Sequence, residues 1–331
     1  MQQLQPHPAR SERPERTQSE GALPAKPSWE GQLALRFSRR GSRTEIAQQY
    51  AQAPLRLQRP FYPEASASGA DASGADVSGA EQAEPGFCQT VVVHTAGGMV
   101  GGDRLSYDIT LESQARVLLT TAAASKIYRS TGPEASQQLC LTLQPGARLE
   151  WLPQDTIVFR GARYRQDMRI ELAPGATWLG GEITRLGRTA MGERFDAGSW
   201  RSRTEVWQLG RPLWIDRQWL PGLAEVWNSP HGLAGCPVVG SLVRVGREVS
   251  PTQIEQLRSL WQEPASAGEI GVTRLPLGLV CRYRGHSSSA VRRWFVAIWR
   301  QLRMEDSTAT TATVASLPLR VPPVPRVWQI L

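Results

Sequence analysis

The sequence is short of almost every group that holds a metal tightly or performs catalysis. Its four cysteines, Cys88, Cys140, Cys236 and Cys281, include no CxxC pair, which removes zinc-ribbon, ferredoxin and thioredoxin chemistry. No disulfide framework is expected from so few, widely spaced thiols. The four histidines, His7, His94, His231 and His286, are scattered, with no HxH or HExxH pattern. There is no GxSxG elbow and no GK[ST] phosphate loop, which leaves neither a standard hydrolase nor a P-loop nucleotide site. No run of 18 apolar residues occurs, and the segment from Met1 to Arg10 lacks the apolar core of a signal peptide, so the expectation is a reduced, cytoplasmic, unspanned protein. Lysine is nearly missing. Lys26 and Lys126 are the only two among 38 positive charges, and the arginine that replaces it favours fixed, planar pairing over general solubility.

What is present is an apolar fraction of 40% in 331 residues, enough to bury a real core. The net charge of +8 is unevenly placed: residues 66 to 86 carry −4 and residues 199 to 331 carry +7. Residues 1–28 hold few apolar side chains and read as a disordered tail. A five-residue unit, Ser68-Gly-Ala-Asp-Ala, Ser73-Gly-Ala-Asp-Val, Ser78-Gly-Ala-Glu-Gln, reads as a flexible acidic insertion at about 65–85. The rest, 29–331, is expected to be a single domain.

Short strands dominate that domain. Thr90 to His94 is β-branched, and Leu105, Tyr107, Ile109 and Leu111 alternate. A longer repeat runs through Ile109-Thr-Leu-Glu-Ser-Gln-Ala115, Leu141-Thr-Leu-Gln-Pro-Gly-Ala147 and Ile170-Glu-Leu-Ala-Pro-Gly-Ala176, at steps of 32 and 29 residues. Pro followed by Gly suits a type II turn, so each unit reads as a strand pair, and equal steps predict that the pairs stack. The fold expected is mainly β, a solenoid-like or layered body of stacked strand pairs, with two helices in the C-terminal half. One helix starts at Ser250-Pro-Thr-Gln253, a capping box with Pro in the first turn. The other carries Val291, Trp294, Phe295, Ile298, Trp299 and Leu302 on one face, and Arg292, Arg293, Arg300 and Arg303 elsewhere.

Three features admit competing readings. Gly97-Gly-Met-Val-Gly-Gly-Asp103 follows a strand, but its glycines do not fit GxGxxG and no helix follows, so a tight connection is expected, with Asp103 as a turn residue or a site residue. A metal-dependent hydrolase built on His94 and Asp103 is a separate reading, weighed against a structural His at a strand end. The basic helix, with Arg282 and Arg284 before it, fits core packing or protein docking, a nucleic-acid backbone, or an anionic membrane surface.

Six blocks in order resemble the urease accessory protein family UreD, called UreH in some organisms. They are Arg59-Pro-Phe-Tyr-Pro-Glu64, His94-x-x-Gly-Gly-x-Val-Gly-Gly-Asp103, Ala124-Ser-Lys-Ile-Tyr-Arg-Ser130, Leu149-Glu-Trp-Leu-Pro-Gln-Asp155, Leu186-Gly-Arg188 with Gly192-Glu-x-Phe195, and Pro325-Arg-Val-Trp328. The chain departs from the family pattern at Thr95-Ala96, at the acidic insertion and at Gly180-Gly181. The resemblance implies a non-enzymatic chaperone of urease maturation, with a β-helical body and two helices. It implies binding to the urease structural subunits and to UreF, and through UreF to the GTPase UreG, so that nickel is inserted; the runner-up is a basic nucleic-acid-associated β protein. No tightly bound cofactor is implied, only transient Ni2+, and no nucleic-acid or membrane partner.

A metal in transit needs weak, exchangeable oxygen contacts, which a closed His/Cys cage does not offer. On that basis Asp103, Ser125, Glu182 and Asp216 are expected to line an internal nickel path, with transient metal contacts at Asp103, Glu182 and Asp216. His94, Gly97, Gly98, Gly101, Gly102, Tyr128 and Arg129 are motif residues with structural roles. Lys126 is expected to pair with Glu150 or Asp155, and Arg188 with Glu193 to form an ion pair or meet a partner. Trp294, Phe295, Ile298 and Trp299 are the candidate docking face for UreF.

Overall fold

The structure is a computed structural model, and it describes residues 28–63, 86–311 and Trp328. The expected tail and acidic insertion lie outside the described residues, apart from Ser28. The chain begins with the hairpin β1 (Glu30–Arg40) and β2 (Arg43–Gln52), then β3 (Leu55–Leu57) and β4 (Cys88–His94). Three coils follow: β5 (Arg104–Leu111), β6 (Arg116–Thr121) and β7 (Ser125–Ile127); β8 (Ala135–Leu143), β9 (Arg148–Trp151) and β10 (Thr156–Val158); β11 (Arg163–Leu172) and β12 (Thr177–Leu186). The body closes with β13 (Ser199–Gln208), β14 (Arg211–Pro221), α1 (Ala224–Asn228), β15 (Val238–Val245), α2 (Pro251–Ser259), β16 (Gly268–Leu275), β17 (Gly278–Gly285) and α3 (Ser288–Thr311).

The coils stack as a β-solenoid of two facing sheets. One runs β14-β13-β11-β8-β5-β1-β2, the other β16-β17-β15-β12-β9-β6-β4-β3, with β7 and β10 adding a short parallel side. Within the coils the pairing is parallel, and antiparallel strands finish both ends. The repeated turns explain this. In each, the alanine N–H donates to the carbonyl three residues back (Ala115 to Glu112, Ala147 to Gln144, Ala176 to Ala173, 3.0 Å each). The residue before the alanine has positive φ: Gln114 63°, Gly146 69°, Gly175 76°. That backbone is what the Pro-Gly pair supplies, and Gln114 adopts it without glycine's freedom. The turns also bond to one another, with Arg148 N–H donating to Ala115 O (2.8 Å) and Thr177 N–H to Ala147 O (2.9 Å). All three alanines are fully buried, since no larger side chain fits between stacked turns.

The expected strand pairs are therefore not hairpins. The strands flanking each turn lie in opposite sheets, and each pairs with its counterpart one coil along. The turn reverses the chain across the thickness of the body and so creates an interior between the sheets. A third helix, α1, was not expected; it is a five-residue turn anchored by buried Trp227.

Two apolar cores result. The larger lies between the sheets and includes Leu33, Phe37, Ile109, Leu141, Ile170 and Trp200. The second lies between the outer face of the β12–β15–β17 region and helices α2 and α3. Ser250 and Gln253 form the capping box of α2, with Pro251 in its first turn. The candidate docking face is corrected here: Trp294, Phe295, Ile298 and Trp299 are 2%, 0%, 0% and 1% exposed, and they form the core under α3. An apolar stripe of that width is buried by the chain's own sheet, which leaves none of it for a partner.

Charge fixes α3 in place. Glu150 of β9 accepts from Trp299 Nε1 (2.7 Å), Arg303 Nε (2.5 Å) and Arg303 Nη2 (2.9 Å), and the Arg303 guanidinium stacks 3.4 Å from the Phe87 ring centre. Asp155 is paired with buried Arg292, and Trp328 lies over the same arginine while donating to Leu152 O (3.0 Å). These pairs overturn the expected role of Lys126, which is exposed and pairs with no carboxylate among the described residues: both of its candidate partners belong to α3 arginines. Replacing Glu150 by Ala removes the carboxylate that pairs with the buried Arg303 guanidinium, and urea unfolding of Glu150→Ala should show a loss of roughly 3–5 kcal/mol.

Candidate functional site

Parallel stacking sets residues in rows along the solenoid. Across one sheet, Leu105, Gln137, Gln166, Ser202 and Gln218 stand side by side on successive strands. Across the other, Glu182, Ser241 and Arg282 do the same. The rows meet inside the body. Ser202 Oγ donates to Glu182 Oε2 (3.1 Å) and Thr184 Oγ1 to Oε1 (3.4 Å). Arg282 bridges the sheets, donating to Ser241 Oγ (2.6 Å) and pairing with Asp216 (2.7 Å), which Gln218 also meets (2.8 Å).

A cavity of about 400 Å³ runs along these rows. Its outer end is formed by half-buried His94 and Ser125 with exposed Gly97, Ala123 and Lys126; its inner wall includes Tyr107, Trp151, Gln137, Gln166 and Glu182. Among the described residues, Glu182 is the only carboxylate in this lining. Burial pushes its carboxyl up to about 7, and the nearby Asp216 charge adds to this, while the Ser202 and Thr184 hydrogen bonds and Arg282 oppose it. At neutral pH the group therefore sits near the middle of its titration. Burial lowers His94 against the raising effect of Asp103, so a neutral imidazole stands at the mouth. Among the described residues no group of three or more His, Cys, Asp or Glu side chains could hold a metal ion.

The four expected path residues do not form one line. Ser125 and Glu182 line the cavity; Asp216 is not in its lining and is committed to Arg282. Asp103 is corrected: it is buried at 3% and both oxygens are taken, by Trp29 N–H (2.9 Å) and Val100 N–H (2.8 Å). It closes the glycine-rich turn through Val100 N–H and ties that turn to the chain entering β1 through Trp29 N–H.

The motif blocks pack on one another. Gly98 and Gly101 lie where a Cβ would overlap Tyr128, Lys126 O, Ser130 and Pro133 O, so the block from Gly97 to Gly102 seats directly against Ala124–Ser130. Tyr128 meets Phe159 edge-on at 5.1 Å, and the Arg129 stem lies over Gly161. Arg188 pairs with Glu193 and stacks on Phe159 at 4.6 Å. Sequence reading missed Gln137, Gln166, Thr184 and Ser202, and grouped Arg282 with the basic helix. The signal was available: Gln137 and Gln166 interrupt the inward positions of otherwise apolar alternation in β8 and β11.

The titration of Glu182 carries a stability consequence. Its folded-state value lies above the ordinary 4.5, so the native state keeps a proton that the unfolded chain has released. Stability falls as pH rises from about 4.5 to about 7 and levels off beyond. Glu182→Gln removes this slope: chemical denaturation should find the variant more stable than wild type at pH 8, by up to about 3 kcal/mol, with the gap shrinking towards pH 5.

Comparison with known proteins agrees with the family resemblance. The family profile described as UreD urease accessory protein matches residues 30–321. A urease accessory protein UreD of Acaryochloris marina is 52% identical over 276 residues, covering 83% of this chain and 90% of that protein. The Nostoc punctiforme UreD is 51% identical over 302 residues (91% and 96% covered), and that of Synechocystis 41% over 271 residues (82% and 93%). With the match spanning the whole solenoid and both helical layers, the chain belongs to the UreD family of urease accessory proteins.

Proposed function

We propose that this chain is a non-enzymatic scaffold of urease maturation that binds the urease apoprotein and UreF, and UreG through UreF, and gives nickel a passage through its interior. The cavity between the sheets carries this reading. It opens at His94, Ser125 and Lys126 and reaches Glu182 along a largely apolar wall in which the Gln137 and Gln166 amides and the Tyr107 hydroxyl are set. Nickel as cargo must enter and leave, and a single carboxylate among neutral oxygens holds a hydrated divalent ion only briefly. Glu182 is suited to that exchange, since a group near the middle of its titration offers a negative charge and gives it up with a small change in surroundings.

The nucleic-acid reading loses its support. Of the six arginines in and before α3, five are paired with acids of the same chain: Arg282 with Asp216, Arg284 with Glu269, Arg292 with Asp155, Arg293 with Glu263 and Arg303 with Glu150. Arginines so neutralised have little left for phosphates. No described helix is long and apolar enough to cross a membrane, and work in the cytoplasm is part of the proposal.

Co-expression of the full chain with UreF, UreG and the urease subunits tests the scaffold and the passage separately. Recovery of a complex is expected for wild type, and its absence sinks the scaffold. Ser125→Trp at the mouth and Glu182→Ala inside should each reduce urease activation several-fold while the complex is still recovered; full activation by both overturns the passage.

A further inference from the structure

Away from the cavity, two residues 50 positions apart meet at the surface. Cys236 Sγ lies 3.7 Å from His286 Nε2. Both are fastened by the backbone around them. Arg284 donates to Pro230 O (2.7 Å) and Gly232 O (2.9 Å), which ties the loop before Cys236 to β17. Cys236 N–H donates to Leu233 O (2.8 Å), and the next carbonyl, Pro237 O, accepts from Leu186 N–H (2.7 Å). His286 N–H donates to Ala267 O (3.1 Å). The thiol has a second acceptor in Ala234 O (3.8 Å), so in the tautomer that carries its lone pair on Nε2 the imidazole is not needed as the thiol's acceptor. His286 is exposed, Cys236 half-buried, and His286 borders a cleft of about 460 Å³ with Asn228, Gly235 and Pro237 in its wall.

We propose that Cys236 and His286 form a surface site for a single divalent transition-metal ion of borderline softness, bound by thiolate and imidazole and completed by water from the adjoining cleft. The spacing argues for it. Bonds of about 2.3 Å to sulfur and about 2.0–2.1 Å to nitrogen at a tetrahedral angle place the donors about 3.6 Å apart, whereas a right angle places them about 3.1 Å apart. The observed separation fits the tetrahedral case with almost no movement. On binding, the S–H bond breaks, sulfur donates its electron pair to the metal, and the proton leaves to solvent. Burial raises the Cys236 thiol, so the metal has to displace that proton, and two protein ligands instead of three or four keep the ion exchangeable. This site does not depend on the passage proposed for the cavity, which uses none of its residues.

Cobalt(II) is the probe, because a thiolate bound to it gives a charge-transfer band and a tetrahedral site gives strong visible absorption. The metal-free, reduced full chain is titrated with Co2+ alone. Wild type should show a band that saturates at one equivalent. Cys236→Ser should abolish it, and His286→Ala should weaken the titration at least about tenfold. Cys140→Ser, which removes the exposed thiol, and Glu182→Gln should leave it unchanged. Circular dichroism of each variant checks that the fold is kept. The absence of a saturable band in wild type, its persistence in Cys236→Ser, or its loss in Glu182→Gln overturns the proposal; only the last also bears on the cavity.

Discussion

The stacked turn at Ala115, Ala147 and Ala176 is the constraint on which the rest of the body depends. Each turn needs a residue at positive φ and a side chain no larger than a methyl, because the next turn's main chain bonds directly to it. Once three such turns are aligned, register is no longer free. A one-residue slip in any strand would send its whole inward set outward, exposing Leu139, Leu141 and Leu143 in β8 or Tyr164, Met168 and Ile170 in β11. The same alignment that fills the apolar core also lines up Gln137, Gln166 and Ser202, so the polar interior is a by-product of the stacking that stabilises the fold.

Buried charge plays a different part. Glu150 and Asp155 hold Arg303 and Arg292 where helix α3 lies on the sheet, and Trp328 completes the contact from near the end of the chain. Buried pairs of this kind are weak sources of net stability but strong penalties against wrong placement, since a helix shifted by one turn would leave both guanidinium groups unpaired. The family blocks at Leu149–Asp155 and Pro325–Trp328 are explained in large part by this seam. Likewise the glycine block and Ala124–Ser130 are two halves of one packed corner. Much of what marks the family in sequence holds the molecule together; the cavity wall is drawn largely from residues outside those blocks.

Glu182 and the Cys236–His286 pair share a physical character. Neither is a closed cage: one offers a carboxyl poised near neutrality among neutral donors, the other two donor atoms beside open space. Both suit contacts that form and break. The scarcity of ligands that first argued against metal chemistry is compatible with handling an ion without keeping it.

By itself the sequence determined the solenoid, because the Pro-Gly-Ala turns, their near-equal steps and the alternation of β5, β8 and β11 are local properties with one stacked solution. It also determined α2 through its capping box, the apolar face of α3, and the family through ordered blocks. Ser125 and Glu182, which it named, both line the cavity, but it left Asp103 open between a turn and a path, gave Lys126 partners that belong to arginines, and turned a core stripe into a docking face. Those errors have one cause: what a side chain meets depends on residues far away in sequence, and Asp103 with Trp29, Glu150 with Arg303, Ser202 with Glu182 and Cys236 with His286 are joined only when the sheets face each other. Periodicity reports which face a residue lies on. Only tertiary structure decided what stands opposite, and with it which carboxylates are free to act and which are spent on holding the fold.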